Sequence, residues 1–129
     1  TRFEVVVIAS MIEEEAKLAS DRPLVAAVIY NRLRLGMTLG LDATVAYIDP
    51  DPSNGLTVSD FAIDSPYNTR LNPGIPPTPI SNPGTASLLA ALRPADVDFL
   101  YFVACPGDGG ASTFSTSYAQ FLRDKGCLG

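Results

Sequence analysis

A run of three glutamates, Glu13 to Glu15, interrupts an otherwise apolar stretch near the start of the chain. In a helix, with about 100° between successive residues, Glu15 shares a stripe with Ile8 and Ile12. A carboxyl group on a core-facing stripe loses solvation, which raises its pKa and favours the protonated form near neutral pH. Because a general acid must carry a proton, this spacing predicts Glu15 as a general acid.

The helix alone leaves two other interpretations open. The three glutamates could form a solvated run of charge, or Glu15 could lie at the edge of the stripe, paired with an arginine. Glu13 and Glu14 gain no argument from position, since residues one or two apart on a helix do not share a face. Ser10 is likewise predicted to lie outside the stripe.

Composition excludes several classes of chemistry. The 129 residues include no histidine, which excludes Ser-His-Asp and Cys-His nucleophile systems and any zinc site that contains histidine. No GxxxxGK or GxGxxG loop is present, so no nucleotide cofactor is expected, and no metal site either. A net charge of −5 without a Lys/Arg cluster argues against nucleic acid or an anionic membrane surface as a partner of this chain. Carboxylates, amides and hydroxyls must therefore carry any chemistry.

The pattern of elements predicts one α+β domain over residues 1–129. Two helices, Phe3 to Ala19 and Pro23 to Leu35, form a hairpin, and Gly36 ends the second. The elements predicted after them are a helix over Thr85 to Leu92, a strand over Phe99 to Ala104 with a hairpin partner in STFSTS, and a last helix from Ser117 or Thr116 to Lys125. Met37 to Ile48 is ambiguous between a strand and a helix capped by Asp42.

Residues 64–84 hold six of the eleven prolines and show no periodicity. A long irregular segment in a compact domain is usually functional or mobile, and proline stiffens this one, so it is predicted to form a rigid binding wall. Tyr67, Asn68 and Thr69 offer a ring face, an amide and a hydroxyl, a set suited to binding a sugar. Alternatively, Asn68 turns the backbone and Tyr67 packs in the core.

Cys105 and Cys127 lack the CxxC spacing of a zinc site. Composition leaves two interpretations open, a disulfide in an oxidising compartment or two buried free thiols.

The blocks ASMIEEEA, YNRLRLGM, LDATVAY, SPYNT, GIPPTPISNPG, LYFVA and TFSTSYAQFL, in this order, resemble the YceG-like family of endolytic lytic transglycosylases that act on the bacterial cell wall. The resemblance covers nearly the whole chain. It implies a lysozyme-like catalytic domain on the extracytoplasmic face of the inner membrane, preceded by a transmembrane anchor and a LysM-like module that lie outside this sequence. Such a location favours the Cys105 to Cys127 disulfide.

The resemblance also implies site residues. The family's catalytic glutamate falls on Glu15. Glu13 matches the first acid of the same E-x-E segment and is counted among the substrate-binding residues in a supporting role, and Asp42 matches an acidic position that touches substrate or caps a helix. Glu15 would protonate the MurNAc-GlcNAc β-1,4 bond and then take the proton of the C6 hydroxyl, which closes a 1,6-anhydro ring, while Tyr67 and Asn68 hold the sugar.

Some positions depart from the family pattern. Members of the family often carry Gln, Pro, His and His at the positions that hold Gly40, Ala43, Ser112 and Phe121 in this chain. These differences affect how the chain is expected to bind its substrate. Two alternatives follow. One is a muramidase that uses Asp42 or Asp64 as a second carboxylate. The other is a non-catalytic domain that binds peptidoglycan and regulates a cell-wall synthase.

Overall fold

The computed structural model describes residues 1–128 as an α+β fold of helices packed beside a small antiparallel sheet. In chain order the helices are α1 (Arg2–Glu15), α2 (Arg22–Arg34), α3 (Asp42–Tyr47), α4 (Thr85–Leu92) and α5 (Tyr118–Asp124), and the strands are β1 (Tyr101–Ala104) and β2 (Ser112–Ser115). Short 3-10 turns occupy Ala19–Asp21, Pro52–Asn54, Asp60–Ala62 and Lys125–Leu128. Within the described residues, no helix has the length and hydropathy needed to cross a bilayer.

Helix α1 is shorter and more deeply buried than the sequence predicted. It ends at Glu15 instead of Ala19, and Ala16 is already extended. The Ala16 N–H makes the last helical hydrogen bond, to the Ile12 carbonyl at 2.9 Å, and the Ala16 side chain is buried in the core, so tertiary packing sets the end of the helix. Ser10, expected outside the buried stripe, is fully buried, and its hydroxyl is satisfied there because it donates to the Val7 carbonyl at 2.6 Å and accepts the Ile80 N–H at 3.0 Å.

Helix α2 ends as the sequence predicted. Gly36 adopts φ +72°, its N–H donates to the Leu33 carbonyl, and the Met37 N–H donates to the Arg32 carbonyl. These two bonds form a Schellman motif, which a glycine in the left-handed region permits.

The core is formed where α1, α2 and α4 meet. Its buried members are apolar side chains from these helices and the following loop, including Met11, Ile12, Val25, Ile29 and Leu39. Truncating Met11 or Ile12 to alanine would cost about 2–5 kcal/mol. This core fixes α1 as a rigid support for its C-terminal glutamates.

The stretch from Met37 to Ile48, which the sequence left ambiguous, forms a loop followed by helix α3. Asp42 is the first helical residue and not the predicted cap, because the N-cap is Leu41 and makes no side-chain hydrogen bond.

The sheet and the last helix close the other side of the fold. Strand β1 begins at Tyr101, two residues later than predicted, and pairs antiparallel with β2 so that Phe102 lies opposite Phe114. Ser117 caps α5 by accepting the Gln120 N–H at 3.1 Å, as the sequence predicted. A disulfide joins Cys105, just after β1, to Cys127, with Cα atoms 5.8 Å apart.

Candidate active site

A cleft of about 690 Å³ separates the C-terminal end of α1 and helix α3 from the β-hairpin and α5. Its walls carry both charged and apolar side chains, among them Glu14, Glu15, Lys17, Arg32, Leu41, Asp42, Ala46, Arg70, Phe102, Val103, Phe121 and Lys125.

Glu15 lies in the wall of this cleft. Its Oε1 accepts the Ala43 N–H at 3.0 Å, near the start of α3, and Oε2 accepts no hydrogen bond from residues 1–128. Burial raises the pKa of Glu15, and the negative charges of Asp42 and Glu14 raise it further against the opposing effect of the Ala43 N–H. A carboxyl group of this kind retains its proton at higher pH than an ordinary glutamate. One interpretation of the sequence paired Glu15 with an arginine. Among residues 1–128 no arginine forms an ion pair with Glu15, and the side-chain ion pair in this part of the chain joins Arg70 to Asp42.

Asp42 shares the cleft with Glu15. It is exposed and forms an ion pair with Arg70, whose Nη2 lies 2.7 Å from Asp42 Oδ1. The Arg70 guanidinium also stacks over the Phe61 ring, with 4.0 Å between its Cζ and the ring centroid. The sequence offered no signal for Arg70, because the pair joins residues 28 positions apart. Asp64, the other acid considered for a hydrolase, is exposed and is not among the cleft-lining residues.

Glu13 points away from the cleft, towards α4. Its Oε1 accepts the Gly84 N–H at 2.9 Å and the Ser87 hydroxyl at 3.0 Å, at the start of that helix. The Gly84 N–H and then the Ser87 hydroxyl lower the pKa of Glu13. Its placement among the substrate-site residues is therefore corrected: Glu13 anchors α4 to α1.

Asn68 is fully buried, and this corrects its predicted contact with a sugar. Its amide donates to the carbonyls of Phe61 and Ile63 at 3.0 and 2.9 Å, and its Oδ1 accepts the Arg70 N–H at 3.0 Å. A buried amide with these partners organises its own loop, as the alternative interpretation held.

Thr69 is also buried, so its predicted contact with a sugar is corrected as well. Its hydroxyl lies 2.7 Å from that of Thr44 and accepts the Leu41 N–H at 2.9 Å. The Leu41 N–H precedes α3 directly. Thr69 therefore positions the helix whose Ala43 N–H holds Glu15.

Tyr67 lies outside the cleft lining but is part of a small aromatic surface. Its hydroxyl lies 2.9 Å from the Thr78 hydroxyl, and its ring centroid lies 5.1 Å from that of Tyr47. Tyr47, which the sequence did not single out, is half exposed at the end of α3. The two rings offer an apolar face of the kind on which sugars stack.

The proline-rich segment contributes less to the cleft than the sequence predicted. Of residues 64–84, Arg70 alone lines the cleft. Within residues 1–128, no group of three or more Cys, Asp or Glu side chains is arranged to hold a metal ion.

Comparisons with known proteins identify relatives of this chain. The chain matches the YceG-like family over residues 1–126. It is 48% identical over 96 residues to a protein of Bacillus subtilis named endolytic murein transglycosylase, a match that covers 74% of this chain and 27% of that protein. A protein of Streptococcus pneumoniae with the same name is 33% identical over 111 residues, covering 82% of this chain and 20% of that protein.

A solved structure extends the likeness to the fold. The crystal structure of a YceG-like protein from Listeria monocytogenes superposes with a TM-score of 0.88 at 40% identity, covering 94% of this chain and 39% of that one. The chain thus spans about a quarter of the length of the curated relatives it matches. The family match over residues 1–126 and the identity to these relatives lead to one conclusion: this chain belongs to the YceG-like family.

Proposed function

We propose that this chain is the catalytic part of an endolytic peptidoglycan lytic transglycosylase that cleaves the MurNAc-GlcNAc β-1,4 bond and leaves 1,6-anhydroMurNAc ends. The observation that carries the proposal is Glu15, a carboxyl group in a cleft wall whose pKa is raised by burial and whose Oε2 accepts no hydrogen bond from residues 1–128. The names of the B. subtilis and S. pneumoniae relatives support the same activity.

In the proposed mechanism Glu15 acts twice. It first donates its proton to the glycosidic oxygen, and the bond from that oxygen to C1 of MurNAc breaks. The Ala43 N–H then stabilises the carboxylate that remains. This carboxylate takes the proton of the C6 hydroxyl while O6 bonds to C1, so Glu15 regains its proton and no water is consumed. The substrate's N-acetyl group stabilises the oxocarbenium ion between the two steps.

One acid is sufficient for this chemistry, whereas a hydrolase needs a second carboxylate to act as nucleophile or to activate water. Asp42 is the candidate for that role because it lines the same cleft. Its Oδ1 is already engaged by Arg70 Nη2 at 2.7 Å, which leaves this carboxylate tied to a cation instead of free to activate a water, and this favours the transglycosylase over the muramidase. A non-catalytic binding domain would have no need of a glutamate with a raised pKa.

The fold is proposed to be lysozyme-like, with the catalytic glutamate at the end of a helix and a β-hairpin across the cleft. Tyr67, together with Tyr47, is proposed to stack on a sugar of the strand, and the proline-rich segment supports this surface. The protein is proposed to act on the extracytoplasmic face of the inner membrane, held there by an anchor outside this sequence and working beside cell-wall synthases. The disulfide supports an oxidising compartment.

The test is mass spectrometry of the products from purified glycan strands digested by this chain, by Glu15→Gln and by Glu13→Gln. Glu15→Gln removes the titrating proton at nearly constant shape, and Glu13→Gln makes the same change on the side of α1 that faces α4. Anhydro-ended fragments are expected from the wild type and from Glu13→Gln but not from Glu15→Gln. Fragments heavier by one water would assign a hydrolase, and absence of cleavage by folded wild type would favour a binding domain.

A further inference from the structure

The cleft has the opposite charge balance to the rest of the chain. The whole sequence has a net charge of −5, yet four of its nine basic residues line the cleft. Arg70 is neutralised by Asp42, and the raised pKa of Glu15 favours its uncharged form. The remaining cations, Lys17, Arg32 and Lys125, face one further cleft carboxylate, Glu14.

Arg32 is the member of this cation group that backbone carbonyls hold in place. Its Nε donates to the Leu100 carbonyl at 2.7 Å, and its Nη1 donates to the carbonyls of Thr38 and Leu39 at 3.0 Å each. Its Nη2 donates to no group among residues 1–128, and no carboxylate within that range lies within ion-pair distance. Its Cζ lies 5.0 Å from the centre of the Tyr101 ring, a contact that attracts the cation but carries no full negative charge. Partly buried cations are normally matched by an anion, so this fixed guanidinium lacks a counter-charge that a ligand could supply.

Lys17 and Lys125 flank the same space from two sides. The Lys17 stem packs against the hairpin turn, where even a Cβ on Gly110 would come within 3.0 Å of it. Lys125 holds its Nζ 5.2 Å from the centre of the Phe121 ring. Neither ammonium group forms a hydrogen bond or an ion pair with residues 1–128. Both are therefore available to an anion in the cleft.

We propose that Lys17, Arg32 and Lys125 bind carboxylates carried by the peptide side chains of the glycan strand. This inference rests on the proposed function, since it assumes that the strand lies in the cleft beside Glu15. The amidated lactyl groups and N-acetyl sugars of a peptide-bearing strand are uncharged, so its sugar backbone offers no partner for three cations. The peptide carboxylates are the anions that complement them.

The test compares two strands of equal length and equal peptide content, one with free peptide carboxylates and one with those carboxylates amidated. Affinity is measured by isothermal titration on the Glu15→Gln background, so that the strands stay uncut. We expect the free carboxylates to bind about tenfold more tightly at low salt, and this preference to shrink in 0.5 M NaCl. Lys17→Gln/Lys125→Gln should remove most of the preference.

The matched control is Arg2→Gln/Arg93→Gln, which removes the same charge from exposed positions outside the cleft lining. This variant should retain the preference. Equal affinity of the Glu15→Gln protein for both strands, or equal loss of the preference in the two double variants built on it, would overturn the inference. A strand stripped of its peptides exposes a lactyl carboxylate instead; a preference for it over the free-carboxylate strand would assign the cations to that group and overturn the peptide assignment.

These outcomes are separable from failure of the proposed function. The affinity comparison does not depend on cleavage, and product analysis of the wild type on the same strands reports the chemistry alone. A carboxylate preference without anhydro products would retain the inference and refute the transglycosylase. Anhydro products without the carboxylate preference would retain the transglycosylase and refute the inference.

Discussion

Replacing Glu13 by alanine should lower stability while leaving the cleft chemistry in place. The side chain accepts two hydrogen bonds, from the Gly84 N–H and the Ser87 hydroxyl, and its negative charge lies at the start of α4. A side chain that caps a helix start is worth about 0.5–2 kcal/mol, and a charge near that end about 0.3–1 kcal/mol. Because the site is partly exposed and therefore screened, we expect a loss of about 1–2 kcal/mol.

The assay is urea and thermal unfolding followed by circular dichroism. A loss of this size should lower Tm by about 3–10 °C in a chain of this length. The lowered pKa of Glu13 means that its stabilisation is complete above the ordinary glutamate pKa and is lost as the pH falls through the folded-state value. The stability difference between wild type and Glu13→Ala should therefore shrink in acid.

Cleavage measured well below Tm separates anchoring from substrate binding. Glu13→Ala should retain wild-type kcat/KM at a temperature where both proteins are folded, and Glu13→Gln should recover part of the stability because its amide oxygen can still accept the Gly84 N–H. A Glu13→Ala protein with unchanged Tm but a large loss of kcat/KM would refute the reasoning, and would return Glu13 to the substrate site.

Three further outcomes are expected. Glu15→Gln should unfold at a higher temperature than the wild type at pH 8, and this difference in Tm should vanish below the ordinary glutamate pKa of about 4.3. The reason is that the raised folded-state pKa of Glu15 destabilises the native state only where the glutamate of the unfolded chain is ionised. A difference in Tm that persists at pH 3 would contradict this. The Cys105–Cys127 disulfide joins residues 22 positions apart, and reducing it should lower the free energy of unfolding, measured with urea, by about 3 kcal/mol. A reductant should not change the stability of the variant in which both cysteines are replaced by serine. Asn68→Ala should lower the free energy of unfolding, measured in the same way, by about 2–4 kcal/mol, because two interior carbonyls lose their hydrogen-bond donor. A decrease below about 0.5 kcal/mol would contradict the structural role of Asn68.

Local patterns were sufficient to predict the elements that depend on neighbouring residues. Gly36 could be recognised as the end of α2 because a Schellman motif requires only a left-handed residue and nearby carbonyls. The strand and helix at residues 101–124 follow from aromatic and β-branched content and from a serine cap. The end of α1 could not be found this way, because Ala16 to Leu18 contain no helix breaker, and the stop depends on the tertiary packing that buries an extended Ala16.

The roles of Asn68, Thr69 and Arg70 could not be read from an aperiodic segment. Such a segment gives no indication of which side chains face inward, so consecutive polar residues look equally available to a ligand. In the structure the first two bond inward and Arg70 faces the cleft. The cation group was also invisible to a search for clustered charge, because its members are brought together only by folding.

Glu13 and Glu15 show why two glutamates separated by one residue can serve different purposes. They have the same ordinary pKa and stand on the same final turn of α1, so the opposite shifts of their pKa values must arise from what each side chain faces. Glu13 accepts two donors at the start of α4, which favours the charge. Glu15 turns about 200° away into a desolvated wall, which favours the proton. Opposite shifts within one pair assign the anchor and the acid: Glu13 adds stability where α1 meets α4, and Glu15 is held at the cleft by the Ala43 N–H and by the core beneath α1.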